Sequence, residues 1–78
     1  METDDVKALL ESHLDGCEVQ VEGGGSNFQI TAIGEVFEGL NAVKRQQCVY
    51  AALNEKIADG TIHAVTIKTF TPAQWAEQ

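Results

Sequence analysis

Thirteen residues, Gly60-Thr61-Ile62-His63-Ala64-Val65-Thr66-Ile67-Lys68-Thr69-Phe70-Thr71-Pro72, restrict the possible folds more than any other stretch of the chain. Gly60 is a helix stop, because it takes a left-handed conformation at no steric cost. Ile62 to Phe70 is rich in β-branched residues and reads as a strand. Thr71-Pro72-Ala73-Gln74 then fits a capping box with proline at the first helical position. A strand between two helices needs partner strands elsewhere, so the chain belongs to a mixed α and β class.

The partners lie upstream. Cys17-Glu18-Val19-Gln20-Val21-Glu22 alternates apolar and polar residues, as a half-buried strand does. Gly23-Gly24-Gly25-Ser26 interrupts it, and Asn27 to Ile33 alternates again with Phe28, Ile30 and Ala32 on one face. Two such runs around a glycine-rich loop predict a β-hairpin. The glycines do not make a phosphate loop, because no Gly-Lys-Ser/Thr follows and the loop opens a strand instead of a helix.

Two longer helices complete the pattern. Thr3 reads as an N-cap with Asp4 and Asp5 on the first turn, and Val6, Leu9, Leu10, His13 and Leu14 share one face up to a stop at Gly16. His13 on that face reads as a packed side chain favoured by the helix dipole. After a connector in which Phe37 plugs the core edge, Asn41 caps a helix from Ala42 to about Ala58. Its expected buried stripe is Val43, Tyr50, Leu53 and Ile57, with Val49 and Ala52 alongside. In the last strand, period-two counting puts His63, Val65 and Ile67 under the helices, and Ile62, Ala64, Thr66 and Lys68 on the other face. Trp75 should anchor a short final helix with its ring mostly buried and its N–H bonded. The fold class is α+β: a two-layer sandwich ordered helix-strand-strand-helix-strand-helix, with helices on one face of a three-stranded sheet.

Seventy-eight residues (1–78) form one domain. Twelve acidic against five basic residues give a formal charge of −7, which opposes non-specific nucleic-acid binding and suits a partner with a basic surface. Only Lys44 and Arg45 adjoin among the cations Lys7, Lys44, Arg45, Lys56 and Lys68. No apolar run approaches the roughly 18 residues of a membrane span, and the acidic Met1-Glu2-Thr3-Asp4-Asp5 start is unlike a signal peptide, so the expected location is cytoplasmic. Cys17 and Cys48, without a Cys-x-x-Cys pair, read as reduced, partly buried thiols, and nothing beside Cys48 marks it as reactive. No nucleophile–base pair and no metal-ligand motif stands out, so an enzyme is not expected. His63, at the rim where the last strand begins, is the residue whose chemistry folding does not explain. By position alone it reads as a histidine whose ring bonds a backbone carbonyl.

Taken together, Phe37-Glu38-Gly39, Val43-Lys44-Arg45-Gln46-Gln47, Val49-Tyr50, Ile62 to Thr69 and Thr71-Pro72-x-x-Trp75 resemble the BolA-like proteins, and most of all their short acid-stress branch. The resemblance runs from the first helix to Trp75 and implies a class II K-homology-like fold. The Gly-x-x-Gly loop of true K-homology domains is missing, since Phe37 to Val43 holds only Gly39. It further implies a partner, a monothiol glutaredoxin. Between the two proteins would lie a [2Fe–2S] cluster, with glutathione on the glutaredoxin side and His63 as ligand on this side. Alone, the chain would carry no cofactor and be a monomer or weak dimer. The implied role is cluster trafficking linked to iron homeostasis and to acid or oxidative stress. Imidazole in place of thiolate removes negative charge from a cluster and raises its potential.

One position departs from the family pattern. Close relatives carry histidine in the hairpin loop where this chain has Asn27, and an amide is a poor ligand for a soft iron–sulfide centre. That leaves His63 with the partner or water completing the site, or Cys17 reaching in. Some BolA relatives act at promoters. The alternative implied function is therefore a nucleic-acid-binding regulator, with Lys44 and Arg45 as its contacts.

Overall fold

A computed structural model describes residues 2–77. Its elements are α1 (Thr3–His13), β1 (Glu18–Gly24), β2 (Asn27–Ile33), a 3₁₀ turn (Glu35–Phe37), α2 (Ala42–Ala58), β3 (Ala64–Phe70) and α3 (Pro72–Ala76). The order is the expected one.

Alternation in β1 and β2 becomes an antiparallel hairpin, with Glu18 opposite Ile33 and Gly24 opposite Asn27. The strands run further into the glycines than expected, leaving only Gly25-Ser26 as the loop. Gly25 has φ +63° and Ser26 does not have positive φ, the combination a type II′ turn requires. β3 then pairs parallel to β2, from Asn27 opposite Ala64 to Ile33 opposite Phe70, giving the order β1-β2-β3. α1 and α2 pack on one face of this sheet, and the core between the layers holds Val6, Leu10, Leu14, Val19, Phe28, Ile30, Ala32, Phe37, Val49, Leu53 and Ile62. The opposite face is polar over most of its area, with Gln20, Glu22, Gln29, Thr31, Thr66 and Lys68.

Several local expectations are corrected. α1 begins one residue early: Glu2, not Thr3, is the N-cap, and its N–H donates to the Asp5 carboxylate at 3.0 Å. His13 is exposed, not packed on the apolar face; one ring nitrogen lies 3.1 Å from the Leu9 carbonyl oxygen in the last turn. The buried stripe of α2 is Val49, Ala52 and Leu53, flanked by half-buried Arg45, Cys48, Lys56 and Ile57. Val43 and Tyr50 instead face solvent, 64% and 37% exposed, because the helix is rotated to set Val49 and Leu53 against the sheet. Trp75 is 37% exposed, its ring held against Phe70 at a centroid distance of 5.3 Å.

The caps at the other helix ends form as read. Asn41 Oδ1 accepts the Lys44 N–H at 2.9 Å. Thr71 Oγ1 accepts the Gln74 N–H, and Gln74 Oε1 accepts the Thr71 N–H in return. Phe37 is fully buried, as the connector reading requires.

Candidate functional site

The site is set by two local events at one end of the sheet. α2 ends at Asp59 and Gly60, the latter with φ +84°, and the Ile62 N–H donates back to the Lys56 carbonyl at 3.1 Å. This reversal turns Ile62 inward, where it is 1% exposed. The expected alternation therefore fails at its first two residues. Ile62 is core, and His63 is exposed instead of lying under the helices. Regular alternation starts at Ala64, with Val65 and Ile67 packed on the core and Ala64, Thr66 and Lys68 exposed.

The parallel pairing of β2 and β3 then brings His63 to the hairpin turn. The His63 N–H donates to the Ser26 carbonyl at 2.8 Å, and the Ala64 N–H shares that oxygen at 3.2 Å. The backbone at His63 is thus fixed by the hairpin turn, next to Asn27 at the start of β2. Its ring is free. Among the described residues neither imidazole nitrogen is hydrogen-bonded, so the reading of a ring tied to a backbone carbonyl does not hold. The ring leans back over the helix stop, with Nε2 3.9 Å from where a β-carbon on Gly60 would lie.

The remaining candidates are placed differently. Asn27 shares the rim with His63, but it lies on the sheet face away from the helices, in a shallow groove with Gln29, Ala64 and Thr66. Cys17 precedes β1 at the opposite end of the sheet, against Gly34. A seven-residue strand spans about 20 Å. Cys17 is thus corrected as a partner for His63, since the two cannot share a metal ion or cluster. Burial, then the charges of Asp15 and Cys48, raise the Cys17 thiol above its ordinary range, which favours the unreactive protonated form.

Arg45 is half-buried and occupied. Its Nε donates to the Leu40 carbonyl at 3.0 Å and its Nη1 to Gln74 Oε1 at 2.8 Å, tying the start of α2 to α3. Lys44 is exposed. Sequence reasoning missed this tether; the signal for it was an arginine inside the otherwise apolar face that includes Cys48 and Val49.

Among the described residues no three histidine, cysteine or acidic side chains converge as a metal site. A lone exposed imidazole supplies at most one coordination position of a metal centre. Among the described residues no helix is long and apolar enough to cross a membrane.

A mixed three-stranded sheet with two helices on one face, and a histidine where the parallel strand meets the hairpin turn, defines a class of small α+β domains. The chain belongs to the BolA-like family, whose model matches residues 2–74. It is 51% identical over 76 residues to the acid stress protein IbaG of Escherichia coli K12, covering 97% of this chain and 90% of that protein. It is also 42% identical over 55 residues to BolA-like protein 1 of Bos taurus, covering 70% of this chain and 40% of the bovine one. Among solved structures, a BolA homologue from Coxiella burnetii superimposes with a TM-score of 0.85 at 34% identity, covering 97% of each chain. BolA1 from Arabidopsis thaliana does so with 0.79 at 28% identity, covering 95% of this chain and 98% of that one.

Proposed function

We propose that the protein is a non-enzymatic adaptor that pairs with a monothiol glutaredoxin to bind and pass on [2Fe–2S] clusters, with His63 as its ligand. The observation carrying this reading is the His63 ring, exposed and without a hydrogen-bond partner among the described residues while its backbone is held by Ser26. A ligand contributed to a shared centre needs that combination: a fixed Cα and an imidazole nitrogen with a free lone pair. The name of the Escherichia coli relative supports a link to acid stress, and an imidazole ligand gives such a link a chemical basis. Protonated imidazole cannot ligate, so assembly should weaken in acid.

A nucleic-acid-binding role has less support. Two of the donor groups on Arg45 are engaged within the fold, and the formal charge is −7.

The test is co-expression with a monothiol glutaredoxin, anaerobic purification, and visible absorption and circular dichroism of wild type and His63→Ala. Loss or change of the cluster spectrum in the variant, with far-ultraviolet dichroism unaltered, is the expected result. Identical spectra and identical cluster retention refute the ligand assignment.

A further inference from the structure

At the end of the sheet opposite His63, the face turned away from α1 and α2 changes from polar to apolar. The last β2–β3 pair there is Ile33 and Phe70. Ile33 is only 5% exposed yet stands apart from the main core cluster. Together with Val36, Pro72 and Trp75 it lines an open groove of about 440 Å³. Val36 and Trp75 stay 48% and 37% exposed, while the Phe70 ring packs against the indole at an interplanar angle of 58°. Every charged residue lining the groove is acidic: Asp15, Glu18 and Glu35. None of the five cations of the chain lines it.

We propose that this groove is a docking site for a basic segment of a partner protein, with an arginine of that segment over the Trp75 ring. An indole face attracts a cation, and the planar, weakly hydrated guanidinium both stacks on it and bonds carboxylates. Asp15, Glu18 and Glu35 supply those carboxylates at the rim, and Val36 and Pro72 offer apolar area to a neighbouring aliphatic side chain. Charge selects this occupant over the others. A second copy of the chain would bring its own −7, and a phosphate backbone or anionic membrane would meet the same repulsion. The groove lies the length of a strand, about 20 Å, from the His63 rim, so both ends can be occupied at once. The inference holds independently of the role of His63.

Trp75 is the only tryptophan, which makes its emission a direct reporter. The probes are a blocked pentapeptide of two arginines alternating with three leucines, and its counterpart with glutamine for arginine. Each is titrated at low and at high salt, with amide chemical shifts recorded in parallel. The expected result is saturable binding of the arginine peptide at least about ten-fold tighter than the glutamine peptide at low salt, the gap narrowing as salt screens the rim. Shifts should concentrate at Gly16, Gly34, Val36 and Trp75. Glu18→Lys/Glu35→Lys, checked for an unchanged urea midpoint, should remove that preference. Equal binding of the two peptides by wild type, shifts centred on another surface, or a concentration-dependent dimer that covers Trp75 would each overturn the proposal. The peptide comparison on wild type decides even if the double variant does not fold.

Discussion

Alanine at Gly23 and alanine at Gly24 should act in opposite directions although the residues are adjacent on β1. Gly23 has φ +117°, and a β-carbon there would run into the Asn27 carbonyl oxygen and come within 3.1 Å of the Phe28 Cα. Both obstacles are backbone atoms of the paired strand and cannot swing aside. A residue forced into such a conformation costs about 1–3 kcal/mol, and overpacking adds a comparable amount, so Gly23→Ala should cost about 2–6 kcal/mol. That is a large share of the roughly 4–12 kcal/mol expected for a domain of this length. Gly24 does not have positive φ, and its added carbon would meet nothing within 4 Å. Removing its backbone freedom in the unfolded chain should make Gly24→Ala neutral or more stable by about 0.4–1 kcal/mol.

The consequence reaches the site. Asn27 adjoins Ser26, whose carbonyl holds the His63 N–H at 2.8 Å. Displacing Asn27 should therefore speed amide exchange at His63 in Gly23→Ala and leave it unchanged in Gly24→Ala. Urea unfolding followed by Trp75 emission, with hydrogen exchange by NMR, measures both effects. Costs agreeing within about 0.5 kcal/mol for the two variants would refute the close-approach reasoning.

Three further outcomes are expected. A double-mutant cycle of Arg45→Met and Gln74→Leu should return a coupling of about 0.5–1.5 kcal/mol in urea midpoints, since the guanidinium–amide bond joins α2 to α3; additive effects would remove the tether. The Thr61 side chain and then its backbone N–H hold the Asp59 carboxyl below its ordinary value of 3.8, with Lys56 assisting. Because the folded value is the lower one, the contribution is present above the unfolded value and fades as pH falls through the folded one. A carboxyl ¹³C titration should place the Asp59 midpoint below 3.8 and Thr61→Val should raise it, whereas an unmoved midpoint discounts the bond. Under the proposed pairing with a monothiol glutaredoxin, Asn27→His should lengthen the lifetime of the shared cluster by adding an imidazole to the rim; an unchanged lifetime sets position 27 outside the site.

By itself the sequence determined what depends on neighbours along the chain. Alternation around the glycines specified the hairpin and its inward Phe28, Ile30 and Ala32. Asn41, Gly60 and the Thr71-Pro72-Ala73-Gln74 box marked helix ends because capping groups satisfy backbone within a turn of themselves. The tertiary structure decided what depends on contacts across the fold. Which stripe of α2 is buried follows from how that helix rolls onto the sheet, so Arg45 is half-buried while Val43 and Tyr50 face solvent. The inversion of Ile62 and His63 follows from the bond between Ile62 N–H and Lys56, which period-two counting does not contain. The meeting of His63 with the hairpin turn needs β3 to pair parallel to β2, a contact between residues more than thirty positions apart. His63 was legible as the residue to examine; its fixed backbone and free ring are products of that pairing.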